Sequence, residues 1–443
     1  MKIQRRDLLK FGMAQAIVGS IPFQFPTKAE AQSSSAPPLR KEPSILQGAT
    51  DETKTQFSIV FEASIDLQIS VSNQRQQIWQ PDNLEVIKFP GHDKKITKVY
   101  FSHLNPADRY HLILQDAQNQ KIIDIREFRT LNLNSKDLRF AICSCMDHVL
   151  HQPEIWQNLV LQNPQIIFYI GDQVYVDRDL PKTGMSVGHM WNKFCDARAT
   201  LEIYFSKKLI PIIGTWDDHD FGVNDGTSLN FPFVNESQKN FLFFMAQKES
   251  HCRGLIKGPG VSSAFQFGSQ LFILTDGRSF RKEADSKDRH AHWGEAQETW
   301  MMDLIRKNQG PTWLVNGSQV FPSFFRRESM SAHHPVQFQA LLKELKMLSS
   351  KVIFITGDIH YSEISKIEAS DVGYTTYELT SSSMHSKGLP VSTGFIHNPR
   401  RITSTGERNY VMVDSKAEGL GALFQATSFS AKGQVLFQET LRV

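Results

Sequence analysis

Short runs in which apolar and polar side chains alternate mark the chain between residues 45 and 135, at 57–61, 66–71, 98–101, 110–114 and 122–126. A period of two places successive side chains on opposite faces of a strand. With Pro90-Gly91 and Asn105-Pro106 as turn residues between runs, the spacing predicts a small antiparallel sandwich of about seven strands. No candidate chemistry is visible there, so the region reads as an accessory or lid domain. From Phe140 onward the pattern changes. Strand-like runs that are mainly apolar occur at 140–142, 165–170, 210–213, 270–275, 312–315 and 351–356, with helical periodicity at 154–162, 295–307 and 336–348. Strands buried on both faces and separated by helices predict a layered α/β domain, sheets flanked by helices, over 136–443.

The first residues follow neither pattern. A basic start (Lys2, Arg5, Arg6, Lys10) leads into a modest apolar stretch at 11–25 and then Ala29-Glu30-Ala31, with small residues where a signal peptidase requires them. The run Arg5-Arg6-Asp7-Leu8-Leu9-Lys10 resembles a twin-arginine export signal. Gln15, Pro22 and Gln24 interrupt the apolar stretch, which is too short to span a bilayer stably. The expectation is therefore a signal peptide at 1–31, passage through the twin-arginine translocase, and a soluble periplasmic or secreted product with no stable membrane insertion. That route carries folded proteins, which suits a chain that acquires a cofactor before export. Residues 32–44 are polar and Pro-rich, the composition of a linker.

Composition narrows the classes. The 443 residues are 40% apolar and 21% charged, enough for a large core and unlike collagen, coiled coil or disorder. Of 49 Lys plus Arg and 46 Asp plus Glu, the first 31 residues hold five and two, which leaves 44 of each. A neutral body without a basic block argues against nucleic-acid recognition through phosphate contacts. Four cysteines, Cys143, Cys145, Cys195 and Cys252, are too few for a disulfide framework. Cys143 and Cys145 are not expected to bridge each other, and Cys195 and Cys252 read as buried thiols.

The candidate chemistry lies where the apolar runs end. Each finishes in a polar cluster: Ser144-Cys145, Gly171-Asp172-x-x-Tyr175, Asp217-Asp218-His219-Asp220, Asp276-Gly277-Arg278, Asn316-Gly317-Ser318-Gln319 and Gly357-Asp358-x-His360. Ligands of open α/β sheets bind at the carboxyl ends of strands. Together these tips supply a thiol, a phenol, several carboxylates and two imidazoles, a mixture of hard and intermediate donors that reads as a centre for two or more metal ions. Asp172, with two carboxylate oxygens, can bridge a pair of ions. Which of Cys143 and Cys145 faces the metal stays open, and so does whether Asn224 or Asp225, just beyond the Asp-Asp-His-Asp run, adds a ligand or closes a turn. His148, His151, His292, His333, His334 and His385 are expected at the surface or behind the site. The Phe241–Phe244 cluster reads as packing against a sheet.

In order and spacing these motifs, from Phe140 to about Ser386, resemble the calcineurin-like metallophosphoesterases, in particular the alkaline phosphatase D (PhoD-like) branch. Asp276-Gly-Arg278-Ser-Phe-Arg281 and Gly294-x-x-Gln297-x-x-Trp300 belong to the same resemblance. It implies a metallophosphatase core with an N-terminal all-β fibronectin-like sandwich. It implies Fe3+ held by Cys145, Asp172, Tyr175 and His360, and one or two Ca2+ ions with Asp218 and Asp358 at the second site. It makes His219 the catalytic imidazole that is not a ligand. A phenolate on ferric iron absorbs visible light, so a coloured protein is expected. The reaction implied is hydrolysis of a small-molecule phosphate ester by metal-activated water, with His219 as general acid. Two readings of Arg278 remain, a planar fork for phosphate or an ion pair with Asp276. Monoester and diester cleavage are both open. A non-catalytic exported binding protein and a metal-dependent hydrolase of another ester class are the competing functions.

Overall fold

The computed structural model describes residues 40–443 except 107, 323–327 and 389–396. The expected export signal at 1–31, and the linker as far as residue 39, lie outside the described residues. Alternating burial builds the N-terminal region: Arg109–Asp116 turns Tyr110, Leu112 and Leu114 inward and leaves Arg109 and His111 outside. Two four-stranded antiparallel sheets result. One runs Ser44–Gln47, Thr55–Glu62, Lys94–Phe101, Asn83–Lys88, and the other Ile78–Trp79, Leu67–Asn73, Arg109–Asp116, Ile122–Arg129. Phe57, Ile59, Val71, Val99, Leu112 and Phe128 fill the space between them. The Tyr110 hydroxyl accepts a hydrogen bond from the Asn105 N–H at 2.6 Å, the corner contact of Greek-key sandwiches. There are eight strands rather than about seven. Ser44–Gln47 is buried throughout, Ile78–Trp79 has only two residues, and Asn83–Lys88 is an exposed edge, so none carries a clear alternating signal.

Two larger mixed sheets follow. The six-stranded sheet runs Ile212–Thr215, Ile166–Ile170, Asp137–Cys143, Asn409–Glu418, Gly421–Ser430, Val435–Arg442. The eight-stranded sheet runs Leu255–Lys257, Ser263–Phe267, Gln270–Leu274, Thr312–Val315, Val352–Thr356, Thr376–Thr380, Ser362–Ile367, Arg401–Thr405. Only the first three strands of one and the Gln270–Leu274, Thr312–Val315, Val352–Thr356 and Thr376–Thr380 group of the other are parallel. The antiparallel strands make both sheets mixed.

The sheets face each other across Phe140, Phe168, Phe272 and Trp313, whose rings meet at centroid distances of 4.5–5.7 Å. Each such ring contributes about 1.5–3 kcal/mol by leaving water. The outer face of the six-stranded sheet packs Ile167 and Tyr169 among Trp156, Trp191 and Phe241 of helices. The other sheet packs Leu271, Ile273 and Phe354 among Met301, Ile305 and Leu341. Helix Glu295–Lys307 has the expected bounds. It buries Gln297, Glu298, Met301, Met302 and Ile305, and carries acidic residues in its first turn and Arg306 and Lys307 in its last, as the helix dipole favours. Pro153–Leu161 and Pro335–Leu345 both begin on proline, where its missing N–H has no helical partner to lose. Residues 40–443 form one compact unit, and among the described residues no helix is long and apolar enough to cross a membrane.

Candidate active site

Parallel order brings the carboxyl ends of the central strands to one edge of each sheet, and hydrogen bonds join the two edges. Thr215 Oγ1 donates to the Thr275 carbonyl at 2.6 Å, and Ser381 Oγ to the Ile142 carbonyl at 2.9 Å. All six side chains expected as ligands meet there. Cys145 Sγ lies 3.5 Å from Asp172 Oδ2, and the Tyr175 hydroxyl lies 3.5 Å from Asp172 Oδ2 and 3.5 Å from His360 Nε2. Donor atoms of Cys145, Asp172 and His360 fall within 4.8 Å of one another, as do those of Asp172, Asp218 and His219, and those of Asp217, Asp218 and Asp358. Asp172 and Asp218 each belong to more than one group. Cys143 does not take part: it is packed in the apolar cluster that holds Ala141, Ile167 and Tyr169. All four cysteines are free.

The backbone at these tips is unusual. Cys145, Asp172, Asp358 and His360 have φ of 54°, 52°, 73° and 58°, in the left-handed region that non-glycine residues seldom occupy. Such strain of about 1–3 kcal/mol per residue persists where surrounding structure over-determines it, and it concentrates at functional sites. Gly171, at φ 111°, precedes Asp172; a Cβ there would stand 2.5 Å from Cβ of Asp217, so only glycine permits these two tips to approach.

Electrostatics give the site its character. Burial, then the charges of Asp218 and Cys145, pushes the Asp172 carboxyl well above the usual carboxylate range. Burial, then Asp218 and Asp217, does the same to Asp358. Burial raises Asp218 too, but Arg278 and then His219 oppose it and hold this carboxyl at about 2. Burial raises the Cys145 thiol to about 11 and the Tyr175 phenol well above its ordinary value. Asp172 Oδ1, Asp217 Oδ2 and Asp218 Oδ1 are buried without a hydrogen-bond partner. Crowded acidic groups with orphaned oxygens are what a bound cation relieves, since its charge favours the ionised form of every one of these groups. The donor set therefore fits metal ions.

His219 sits at the mouth, its side chain 16% exposed, with its ring stacked on Tyr175 at 4.1 Å. Its Nδ1 donates to both oxygens of Asp177, at 2.8 and 2.9 Å, which leaves Nε2 for other work. Burial alone lowers the His219 pKa, yet the Asp177 hydrogen bond and the Asp218 charge outweigh it and the net shift is upward. Asp177 escaped the sequence reading although it lies two residues beyond Tyr175, because one acidic loop residue carries no signal until its partner is placed. Ser382 escaped as well. Its Oγ lies 3.1 Å from Cys145 Sγ and accepts the His360 N–H at 2.8 Å.

Arg278 departs from both of its expected roles. Its guanidinium is fully buried, with Nε on Asp217 Oδ1 at 2.5 Å and both terminal nitrogens on Glu328 at 3.0 and 2.7 Å. From Arg278 the Asp276 carboxylate accepts only the backbone N–H, at 3.1 Å. Arg278 therefore clamps the carboxylates from behind and has no open side for phosphate. Asp225 is exposed at φ 53°, and its N–H binds Asp218 Oδ2 at 2.7 Å. Its carboxylate falls within 4.8 Å of donors on Asp218 and Glu328, so it both closes the turn and reaches the cluster. His148, His292, His334 and His385 are buried rather than superficial. His334 Nε2 donates to the Lys282 carbonyl at 3.0 Å, which makes its Nδ1 the acceptor for His292 Nδ1–H at 3.0 Å. Phe241 and Phe244 are buried in packing, as expected.

Acidic groups gathered at strand ends between two stacked sheets, with an imidazole beside them, form a cluster of donors that could hold metal ions. Residues 257–428 match the family described as PhoD-like phosphatase. The matched span carries Asp276, Arg278, Glu328, Asp358 and His360, while Cys145, Asp172, Tyr175, Asp218 and His219 precede it. No curated protein matches the chain.

Proposed function

We propose that the chain is an exported, metal-dependent phosphoesterase that hydrolyses small phosphate esters with activated water, His219 serving as general acid. The observation that carries this reading is the pair of donor groups sharing Asp172, with the His219–Asp177 pair beside them. Cys145, Asp172, Tyr175 and His360, a softer set, would hold Fe3+. Asp172, Asp218 and Asp358, all carboxylates, would hold one or two Ca2+. When bound, such ions supply charge neutralisation for the phosphoryl oxygens and acidify a water molecule. The chain's own groups do the rest. Asp177 fixes the His219 ring and keeps its proton-bearing face directed, His219 Nε2–H protonates the departing alkoxide, and Arg278 keeps Asp217 and Asp218 ionised and in place.

The test is hydrolysis of chromogenic phosphate mono- and diesters by protein purified without chelator, alongside metal analysis. His219→Ala is expected to keep its metal and lose about 10²–10⁴-fold in turnover, whereas Asp172→Ala is expected to lose both kinds of ion. Full rate and full metal content in Asp172→Ala would overturn the assignment. Export rests on the paired arginines and the Ala29-Glu30-Ala31 site of the sequence. Fractionation of cells making the full chain, with Arg5 and Arg6 intact or both changed to Lys, tests it; unchanged location refutes the twin-arginine route.

A further inference from the structure

We propose that Arg178 is the residue that binds the phosphoryl oxygens of the substrate and biases the site toward monoesters; the proposal rests on the phosphoesterase reading above. Arg178 follows Asp177 directly in the loop after strand Ile166–Ile170. Its guanidinium carbon lies 6.0 Å from the centroid of the Tyr175 ring, the same ring that stacks on His219 and places its hydroxyl beside Asp172 and His360. One terminal nitrogen is held by Asp147 Oδ2. Asp147 is in turn buried and fixed by the Val149 N–H at 3.1 Å, so the guanidinium has a defined direction. Nε and the other terminal nitrogen have no hydrogen-bond acceptor among the described residues, and the side chain is 34% exposed.

The neighbouring cations are committed elsewhere. Arg278 and Arg281 are buried on Asp217, Glu328 and Ser318. Arg408 donates to the carbonyls of Ser386 and Leu150, and Lys193 pairs with Asp179. Among these, the guanidinium that keeps N–H groups without an acceptor, beside the Tyr175 ring, is that of Arg178. A charged N–H donor makes a strong hydrogen bond to an unesterified phosphoryl oxygen. A monoester offers more negative charge and one more unesterified oxygen than a diester, so Arg178 distinguishes them.

The experiment uses the metal-loaded full chain and its Arg178→Gln and Arg178→Lys variants. It measures kcat/KM on an aryl phosphate monoester and on a diester with the same leaving group, inhibition by inorganic phosphate, metal content and melting temperature. For Arg178→Gln the expected result is a loss of about 10- to 100-fold on the monoester, the scale of a hydrogen bond to a charged group. The diester should lose far less, phosphate inhibition should weaken in parallel with the monoester, and Arg178→Lys should recover part of the loss. Metal content should not change, while the melting temperature of Arg178→Gln should fall because the buried Asp147 loses its ion-pair partner. Equal losses on both esters with unchanged phosphate inhibition would mean that Arg178 only anchors Asp147, and would overturn the proposal; so would two variants as active as the parent. A parent inactive on both esters would instead refute the phosphoesterase reading itself.

Discussion

Glu378 offers a test of the core that is independent of catalysis. It sits fully buried on strand Thr376–Thr380, where Oε1 accepts from the Val320 N–H at 2.7 Å and from Thr356 Oγ1 at 3.1 Å, and Oε2 accepts from the Phe321 N–H at 3.1 Å. These bonds tie the chain just beyond the Asn316–Gln319 turn to the sheet. Burial raises the carboxyl from 4.5 to about 7, against the pull of the two backbone donors and with help from the Glu363 charge. Because the folded pKa exceeds the unfolded one, the folded state binds the extra proton between these values. The resulting stability is complete below about pH 4.5 and is lost as pH rises through 7. At 1.36 kcal/mol per pH unit the loss amounts to about 3 kcal/mol.

Glu378→Gln removes the titration and substitutes a fixed penalty, the amide nitrogen facing one backbone N–H, of about 1–3 kcal/mol. Denaturant unfolding of parent and variant at pH 5 and pH 8 should therefore show the variant gaining about 3 kcal/mol relative to the parent at the higher pH. A difference that stays flat between the two pH values, or that moves in the parent's favour, would show that Glu378 is ionised throughout and would refute the reasoning.

The site yields two more predictions. Asp177→Asn, which replaces the carboxylate that accepts His219 Nδ1–H with an uncharged amide carrying one acceptor and one donor end, should lower kcat by about 10- to 1000-fold with metal content unchanged, because the protonated ring loses its charge partner and the amide NH2 can hold the wrong tautomer; steady-state kinetics with metal analysis checks this, and an unchanged kcat removes Asp177 from the mechanism. Tyr175→Phe, which deletes the hydroxyl beside Asp172 and His360, should strip the visible absorption expected of a phenolate on ferric iron; an unaltered spectrum in an iron-containing variant means that the phenol is not a ligand.

What could be read in advance followed from local rules. Helix Glu295–Lys307 is visible because its apolar stripe, acidic start and basic end coincide. The donors at 145, 172, 175, 218, 358 and 360 are visible because each polar cluster ends an apolar strand, and parallel order then brings strand ends together. What escaped depends on pairings between distant residues. The side-chain partners of Arg278 lie 61 and 50 positions away, at Asp217 and Glu328, whereas local spacing points only to Asp276, two residues upstream. Strands Asn409–Glu418, Gly421–Ser430 and Val435–Arg442 extend the six-stranded sheet from the end of the chain with no helix between them, so the alternation of strand and helix that signalled the core is missing there. Which of the expected surface or supporting histidines are buried depends on pairings such as the tautomer chain from His292 through His334 to the Lys282 carbonyl, which no spacing encodes.

The left-handed φ at Cys145, Asp172, Asp358 and His360 also limits how the centre can diversify. β-Branched replacements at these tips would add roughly 1–2 kcal/mol of local clash, whereas Asn, Asp and Gly accept the conformation readily. Exchange of one ion for another by substitution is thus channelled toward swaps between acid and amide at positions 172 and 358. Threonine or valine would have to rebuild the loop before it could alter the chemistry.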